Sequence, residues 1–266
     1  MTDYLIQDWP DPRICVLRLN RPDKYNALSR ALTDDLRAAV RDLPSGNARV
    51  LILAANGPGF CAGADLKERK GMSDAEKFAH NRAINALANE IAALPFATVA
   101  AINGTALGGG CELSLACDLR FAAAGAQIGL TEARIGAIPG AGGTQRLPRL
   151  IGTALALEMM LSGEPVTAEK AADWGLLNAV FPANALWDHV MGLAHILARR
   201  SRRATALLKH AVYSGIERDL AAGLELERAA VAEVLGSDDY REGLAAFAER
   251  REPVFDQAGP GDVGHT

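Results

Sequence analysis

At 266 residues, with 49% apolar and 23% charged side chains, the chain is long enough to bury a large core, and one large domain, or one with a small appendage, is expected. A formal net charge of −4 makes no electrostatic case for nucleic acid. Four cysteines (Cys15, Cys61, Cys111, Cys117) sit in apolar or glycine contexts without a CxxC pair, and read as reduced thiols of a cytoplasmic protein with no metal site.

The N-terminus, MTDYLIQDWPDP, lacks the basic-then-apolar order of a signal peptide. No apolar run reaches the ~20 residues that span a bilayer. Ile14 to Leu19 alternates and is rich in β-branched residues, predicting a strand, and Asn20-Arg21-Pro22-Asp23 is a turn. Ser29 is placed to cap a helix running to about Asp42, with Leu32, Leu36, Ala39 and Val40 on its apolar face. Pro44-Ser45-Gly46-Asn47 ends that helix, and Val50 to Ala54 is a short buried strand. Strand, helix, strand argues for the α/β class with parallel pairing.

The loop from Asn56 to Asp65 is glycine-rich, and Gly57 to Ala62 formally fits GxGxxA after a strand. A dinucleotide site would need a helix to follow. Pro58 and further turn residues stand there instead, and an ordinary turn is the plainer reading. Lys67 to Met72 is charged and expected to be mobile. Ser73 caps a helix from Asp74 to about Ala93, with Phe78, Ile84, Leu87, Ile91 and Leu94 as its apolar stripe and Lys77, Arg82 and Glu90 on a solvated face.

The strand Thr98 to Ile102 ends at Asn103-Gly104, and Gly108-Gly109-Gly110 opens an apolar helical segment, Cys111 to Ala116. A helix start presents unpaired N–H groups and about half a positive charge, which suits an oxygen that becomes anionic during a reaction. Glu112 lies one turn in, and Glu132 follows in Leu130-Thr131-Glu132-Ala133, ahead of a second glycine cluster at Gly136, Gly140, Gly142 and Gly143. Two carboxylates beside a donor-rich backbone is a layout for proton transfer near a developing negative charge. Taken singly, Glu112 could equally complement a helix N-terminus and Glu132 could be a surface acid.

Leu119 to Ala123 and Ala126 to Leu130 read as strands, and Val180-Phe181 as a possible last one. Helical patterns follow at Thr153 to Leu161, Thr167 to Trp174, Asn184 to Arg200, Arg202 to Ser214, Glu217 to Leu235 and Asp238 to Arg250. This divides the chain into a core, residues 1–200, a helical region, 201–255, and a polar tail, 256–266, expected to be disordered. No GxSxG elbow, no P-loop lysine and no metal-spaced histidines appear.

The stretches Phe60 to Lys67 (FCAGADLK), Asn103 to Leu113 (NGTALGGGCEL), Cys117-Asp118 and Ile138 to Leu147 (IPGAGGTQRL) resemble the crotonase (enoyl-CoA hydratase/isomerase) superfamily over about residues 4 to 255. The resemblance implies a ββα spiral core with a C-terminal helical region. It implies an oxyanion hole from the N–H groups of Ala64 and Gly109, with Glu112 activating water and Glu132 donating the α-proton to a 2-enoyl-CoA. It also implies that Ala64, Asp65, Leu66, Lys67, Gly109, Gly140 and Arg250 line the acyl-CoA site, although Asp65 reads first as a structural turn cap rather than a catalytic acid, and Arg250 equally as a helix-end cation. No separate cofactor is implied, since coenzyme A enters on the substrate. A homotrimer or hexamer is implied, without nucleic-acid or membrane partners. The alternatives are a Δ3-Δ2-enoyl-CoA isomerase, a methylglutaconyl-CoA hydratase, suggested by Arg146 to Gly152 and by the stretch from Asp219, and a non-enzymatic RNA-binding or scaffold member.

Overall fold

The computed structural model describes residues 2–255; the tail from Asp256, expected to be disordered, lies outside them. The chain opens with β1 (Leu5–Asp11) and β2 (Ile14–Leu19), an antiparallel pair. Ser29 caps α1 (Arg30–Asp42), its side chain accepting from the Leu32 N–H, and β3 (Val50–Ala55) follows. Next come β4 (Gly59–Cys61), α2 (Leu66–Arg69), α3 (Asp74–Ala92), β5 (Ala97–Ile102), β6 (Thr105–Leu107), α4 (Gly109–Ala116), β7 (Leu119–Ala123) and β8 (Gln127–Gly129). The rest comprises α5 (Gly143–Ile151), α6 (Thr153–Ser162), β9 (Val166–Thr167), α7 (Ala168–Asp173), β10 (Ala179–Phe181), and helices α8 (Ala183–Ala198), α9 (Arg202–Gly215), α10 (Leu220–Leu235) and α11 (Asp238–Glu249).

The strands form two sheets. The larger has the order β1-β2-β3-β5-β7-β10 and the smaller β4-β6-β8-β9. Each pass of the chain therefore gives one strand to the large sheet and the next, short strand to the small one: β3 then β4, β5 then β6, β7 then β8. That is the ββα spiral of an α/β fold, with helices at the C-terminal end. The sequence reading missed the short strands β4 and β6.

β3 and β5 are buried along their whole length, which explains why they read as unbroken apolar runs: parallel strands covered on both faces need no polar side. Leu51 and Leu53 face the main core with Leu32, Leu36 and Leu87, while Val50 and Ile52 face the second cluster, closed by Leu186, Val190 and Ala194 of α8.

Three expectations are corrected. Lys67 to Met72, expected to be mobile, is held at both ends: Asp65 caps α2 by accepting from the Lys67 and Glu68 N–H groups, and Met72 is buried. Phe78 leaves the stripe predicted for α3 and is 62% exposed, under the Arg82 guanidinium. Helix α10 starts at Leu220, because Asp219 rather than Glu217 supplies the cap. Helix α9 is moored to the core through Asp118, which accepts from Lys209 Nζ and Tyr213 Oη at 2.8 Å each.

Candidate active site

Three neighbouring parallel strands of the small sheet, β4, β6 and β8, deliver the site from their C-terminal ends. Ala64 follows β4, Gly109 follows β6 and Glu132 follows β8. Residues far apart in the chain are thereby brought side by side, the usual placement of ligand sites in α/β sheets.

Ala64 forms a parallel bridge with Leu28. The Leu28 N–H donates to the Gly63 carbonyl at 2.8 Å, and the Asp65 N–H donates to the Leu28 carbonyl at 3.0 Å. In extended backbone successive amides alternate direction, so the Ala64 N–H points away from Leu28. Gly109 is the first residue of α4, where an N–H has no partner within the helix. No described residue accepts from either group. The two backbones nearly touch: a Cβ on Gly63 would lie 3.1 Å from Gly109 N and 2.9 Å from the Leu107 carbonyl. Gly63 (φ +87°) and Gly108 (φ +50°) also hold backbone conformations that L side chains rarely adopt. The glycines are what let two unpaired N–H groups face one small space.

Glu112, in the first turn of the fully buried α4, is 2% exposed. Its Oε1 accepts from the Ala141 N–H at 2.7 Å and the Gly143 N–H at 2.8 Å. Burial raises its carboxyl above the ordinary value, and the Gly143 and Ala141 N–H groups, with the Arg146 and Arg69 charges, offset only part of that rise. Glu132 opens a 3₁₀ turn beside it, and a Cβ on Gly108 would lie 3.0 Å from Glu132 Oε1. Its Oε2 is buried without a partner. Burial first, and the Glu112 charge after it, raise the Glu132 carboxyl to about 7. Burial thus raises both carboxyls, and the two differ in their partners: Glu112 Oε1 accepts from two backbone N–H groups, while Glu132 Oε2 has none.

The other expected residues fall as follows. Asp65 works structurally as the α2 cap and pairs with Arg21 at 3.1 Å. Burial alone would raise its carboxyl, but the Glu68 N–H, Arg21 and the Lys67 N–H hold it below its ordinary value. Leu66 and Lys67 are exposed at the start of α2. The Gly140 carbonyl accepts from Asn85 Nδ2 at 3.1 Å, and a Cβ there would meet Asn81 Nδ2 at 2.3 Å. Arg250 caps the end of α11; no described hydrogen bond or ion pair joins it to the elements that carry the glutamates.

Asp65→Ala is expected to destabilise the protein by about 2–4 kcal/mol, since it strips a helix cap and leaves the largely buried Arg21 without its counter-charge. Denaturant unfolding measures this. The loss should be largest above the ordinary carboxylate range and shrink as pH falls through the depressed Asp65 value, where the parent loses the same contribution.

Sequence reading missed two features of the site. Arg69, on α2, interacts electrostatically with both Glu112 and Glu132, and its guanidinium Nε donates to His80 Nδ1 at 3.5 Å. Its signal was hidden in a charged run. The second is a row of asparagines, Asn81, Asn85 and Asn89, at the four-residue spacing that shares one face of α3.

The family model described as Enoyl-CoA hydratase/isomerase matches residues 11–258. The mouse protein named Enoyl-CoA hydratase domain-containing protein 2, mitochondrial, is 42% identical over 252 residues, spanning 92% of this chain and 85% of that one. The rat protein named Methylglutaconyl-CoA hydratase, mitochondrial, is 44% identical over 248 residues, 91% of this chain and 79% of that one. A solved structure of an enoyl-CoA hydratase from Bacillus anthracis superposes with a TM-score of 0.93 at 42% identity, covering 95% of this chain and 98% of the other. The fold and these relatives support an enzyme of the hydratase type. The chain belongs to the enoyl-CoA hydratase/isomerase family, within the crotonase superfamily, whose members act on acyl-CoA substrates.

Proposed function

We propose that the chain adds water across the 2,3 double bond of a 2-enoyl-CoA thioester to give the 3-hydroxyacyl-CoA. One observation carries the reading: two unpaired main-chain N–H groups, of Ala64 and Gly109, share a small space with two carboxylates, one anchored by two N–H groups and the other with an unpartnered oxygen. The thioester oxygen sits on the two N–H groups and becomes an enolate oxygen as water adds at C3. Neutral backbone donors stabilise that charge without competing for protons. Glu112, oriented by the Ala141 and Gly143 N–H groups, takes a proton from the water, and Glu132 delivers one to C2. An isomerase needs only one such acid. Intact carboxylates and the acidic balance also weigh against a purely RNA-binding or scaffold role.

The proposal carries the remaining sequence expectations with it: a cytoplasmic homo-oligomer without bound metal or separate cofactor. Among the described residues no helix is long and apolar enough to cross a membrane. Leu208, Ile216, Leu220 and Phe247, all more than half exposed on or beside the C-terminal helices, offer apolar surface for self-association.

Arg69 favours a second, narrower reading. A partly desolvated guanidinium that feels Glu112 and Glu132 but forms no salt bridge among the described residues suits an enoyl-CoA whose acyl chain ends in a carboxylate, as in methylglutaconyl-CoA. Loss of conjugated-thioester absorbance with crotonyl-CoA, glutaconyl-CoA and methylglutaconyl-CoA tests both readings. Hydration of crotonyl-CoA alone supports the broad reading, and preference for the carboxylate-tailed thioesters supports the narrow one. Turnover of a 3-enoyl-CoA with no hydration of any 2-enoyl-CoA would overturn both.

A further inference from the structure

The loop between Pro139 and Gly143 presents two N–H groups to Glu112, yet glycines stand at 140, 142 and 143. Such a backbone reorients easily unless something holds it. A closed relay of side chains does so. Asn85 Nδ2 donates to the Gly140 carbonyl at 3.1 Å, and Asn89 Nδ2 donates to Asn85 Oδ1 at 3.0 Å. Arg146 Nη2 donates to Asn89 Oδ1 at 2.7 Å, and its Nη1 returns to the loop at the Ala141 carbonyl, 3.0 Å away.

The geometry of one peptide unit makes this relay consequential. The Gly140 carbonyl and the Ala141 N–H belong to the same trans plane and point in opposite directions. Drawing the carbonyl toward Asn85 on α3 therefore aims the N–H at Glu112 Oε1, where it makes the 2.7 Å bond. We infer that Asn85 and Asn89, closed by Arg146, are positioning residues that hold the Gly140–Ala141 peptide against Glu112 Oε1 and so orient and support its carboxylate form. The inference rests on Glu112 acting as the base in the hydration reading.

The titratable and charged groups around Glu112 are Arg146 from α5, Arg69 from α2, Glu132 from the turn after β8, and Cys111 beside it on α4. Asn85→Ala and Asn89→Ala alter none of these charges. A changed titration in either variant thus reports orientation of the peptide.

The experiment measures the acidic limb of the kcat/KM profile for crotonyl-CoA hydration. In parallel, infrared titration follows the carboxylate band that disappears in Glu112→Gln. In Asn85→Ala both midpoints should move up by about one pH unit, the scale of one weakened amide bond to a carboxylate. Turnover should fall most below neutrality and recover as pH rises. Asn89→Ala, one link further from the peptide, should move them by less, and the double variant should match Asn85→Ala because the links act in series. Should Asn85→Ala not fold, Asn89→Ala carries the same test. Midpoints that stay in place while turnover or melting temperature drops would reduce the relay to scaffolding and overturn the inference. An infrared midpoint that moves in a protein with no hydration activity would refute the hydratase reading and leave the positioning role standing.

Discussion

Glu112→Gln and Glu132→Gln should each lower crotonyl-CoA hydration by about 10²–10⁴-fold, the range of positioned acid and base groups, with the fold retained. An amide oxygen at position 112 still accepts from the Ala141 and Gly143 N–H groups, so the first variant keeps its anchoring and loses only the proton acceptor. The two variants should part company in stability. With its carboxyl raised from 4.5 to about 7, Glu132 binds more protons folded than unfolded between those values. Stability contributed by this residue is therefore lost as pH rises through that window, and the charge kept above it costs on the order of 1–3 kcal/mol. Glu132→Gln removes the cost. It should melt several degrees above the parent at pH 8, at about 2–4 °C per kcal/mol, with the gap shrinking toward pH 5. An inactive variant more stable than its parent would mark Glu132 as a group kept for chemistry against the interest of the fold. Near-normal turnover in either variant would remove that residue from the mechanism.

Gly108→Ala is expected to lower hydration by about 10²-fold or more, on the scale of a lost oxyanion donor, and to destabilise the protein by about 1–3 kcal/mol, the cost of a side chain in a sparsely allowed conformation. The added methyl would stand 3.0 Å from Glu132 Oε1 at a residue with φ +50°. Either the carboxylate gives way or the N-terminus of α4 does, and the Gly109 N–H moves with it. Kinetics and thermal melts on one preparation separate the two effects. By contrast, at Gly125, another positive-φ glycine (φ +78°), a Cβ would meet nothing within 4 Å; Gly125→Ala should cost backbone strain without loss of turnover.

The long buried strands and the capped helices were readable because their signals are local. Ser29 and Ser73 each accept from a backbone N–H of the first turn that follows, and unbroken apolar runs marked β3 and β5. The three-residue strands β4 and β6 carry no period and contain glycine or small residues. They exist because parallel neighbours hold them laterally, which no window of sequence displays. Helix α5 was hidden by Pro148 inside it and by Gly142 at its cap. Ala64, Gly109, Glu112 and Glu132 were visible through ordered motifs, but their convergence depends on the order of the small sheet. The asparagine row resembled a solvated helix face, since its partner at Gly140 lies far along the chain. Arg69 was lost in a run of charges that only the Asp65 cap turns into a helix.

The spiral winding has a consequence for how the enzyme comes into being. Each turn hands over part of the site: Ala64 from the first, Gly109 and Glu112 from the second, Glu132 from the third. No fragment ending before β8 holds a full complement, and neighbouring components meet only through contacts distant along the chain, which form late and slowly. Catalytic competence should therefore emerge as a single late event in refolding, after most secondary structure has returned, and a chain stalled one turn short would look largely folded yet be chemically inert.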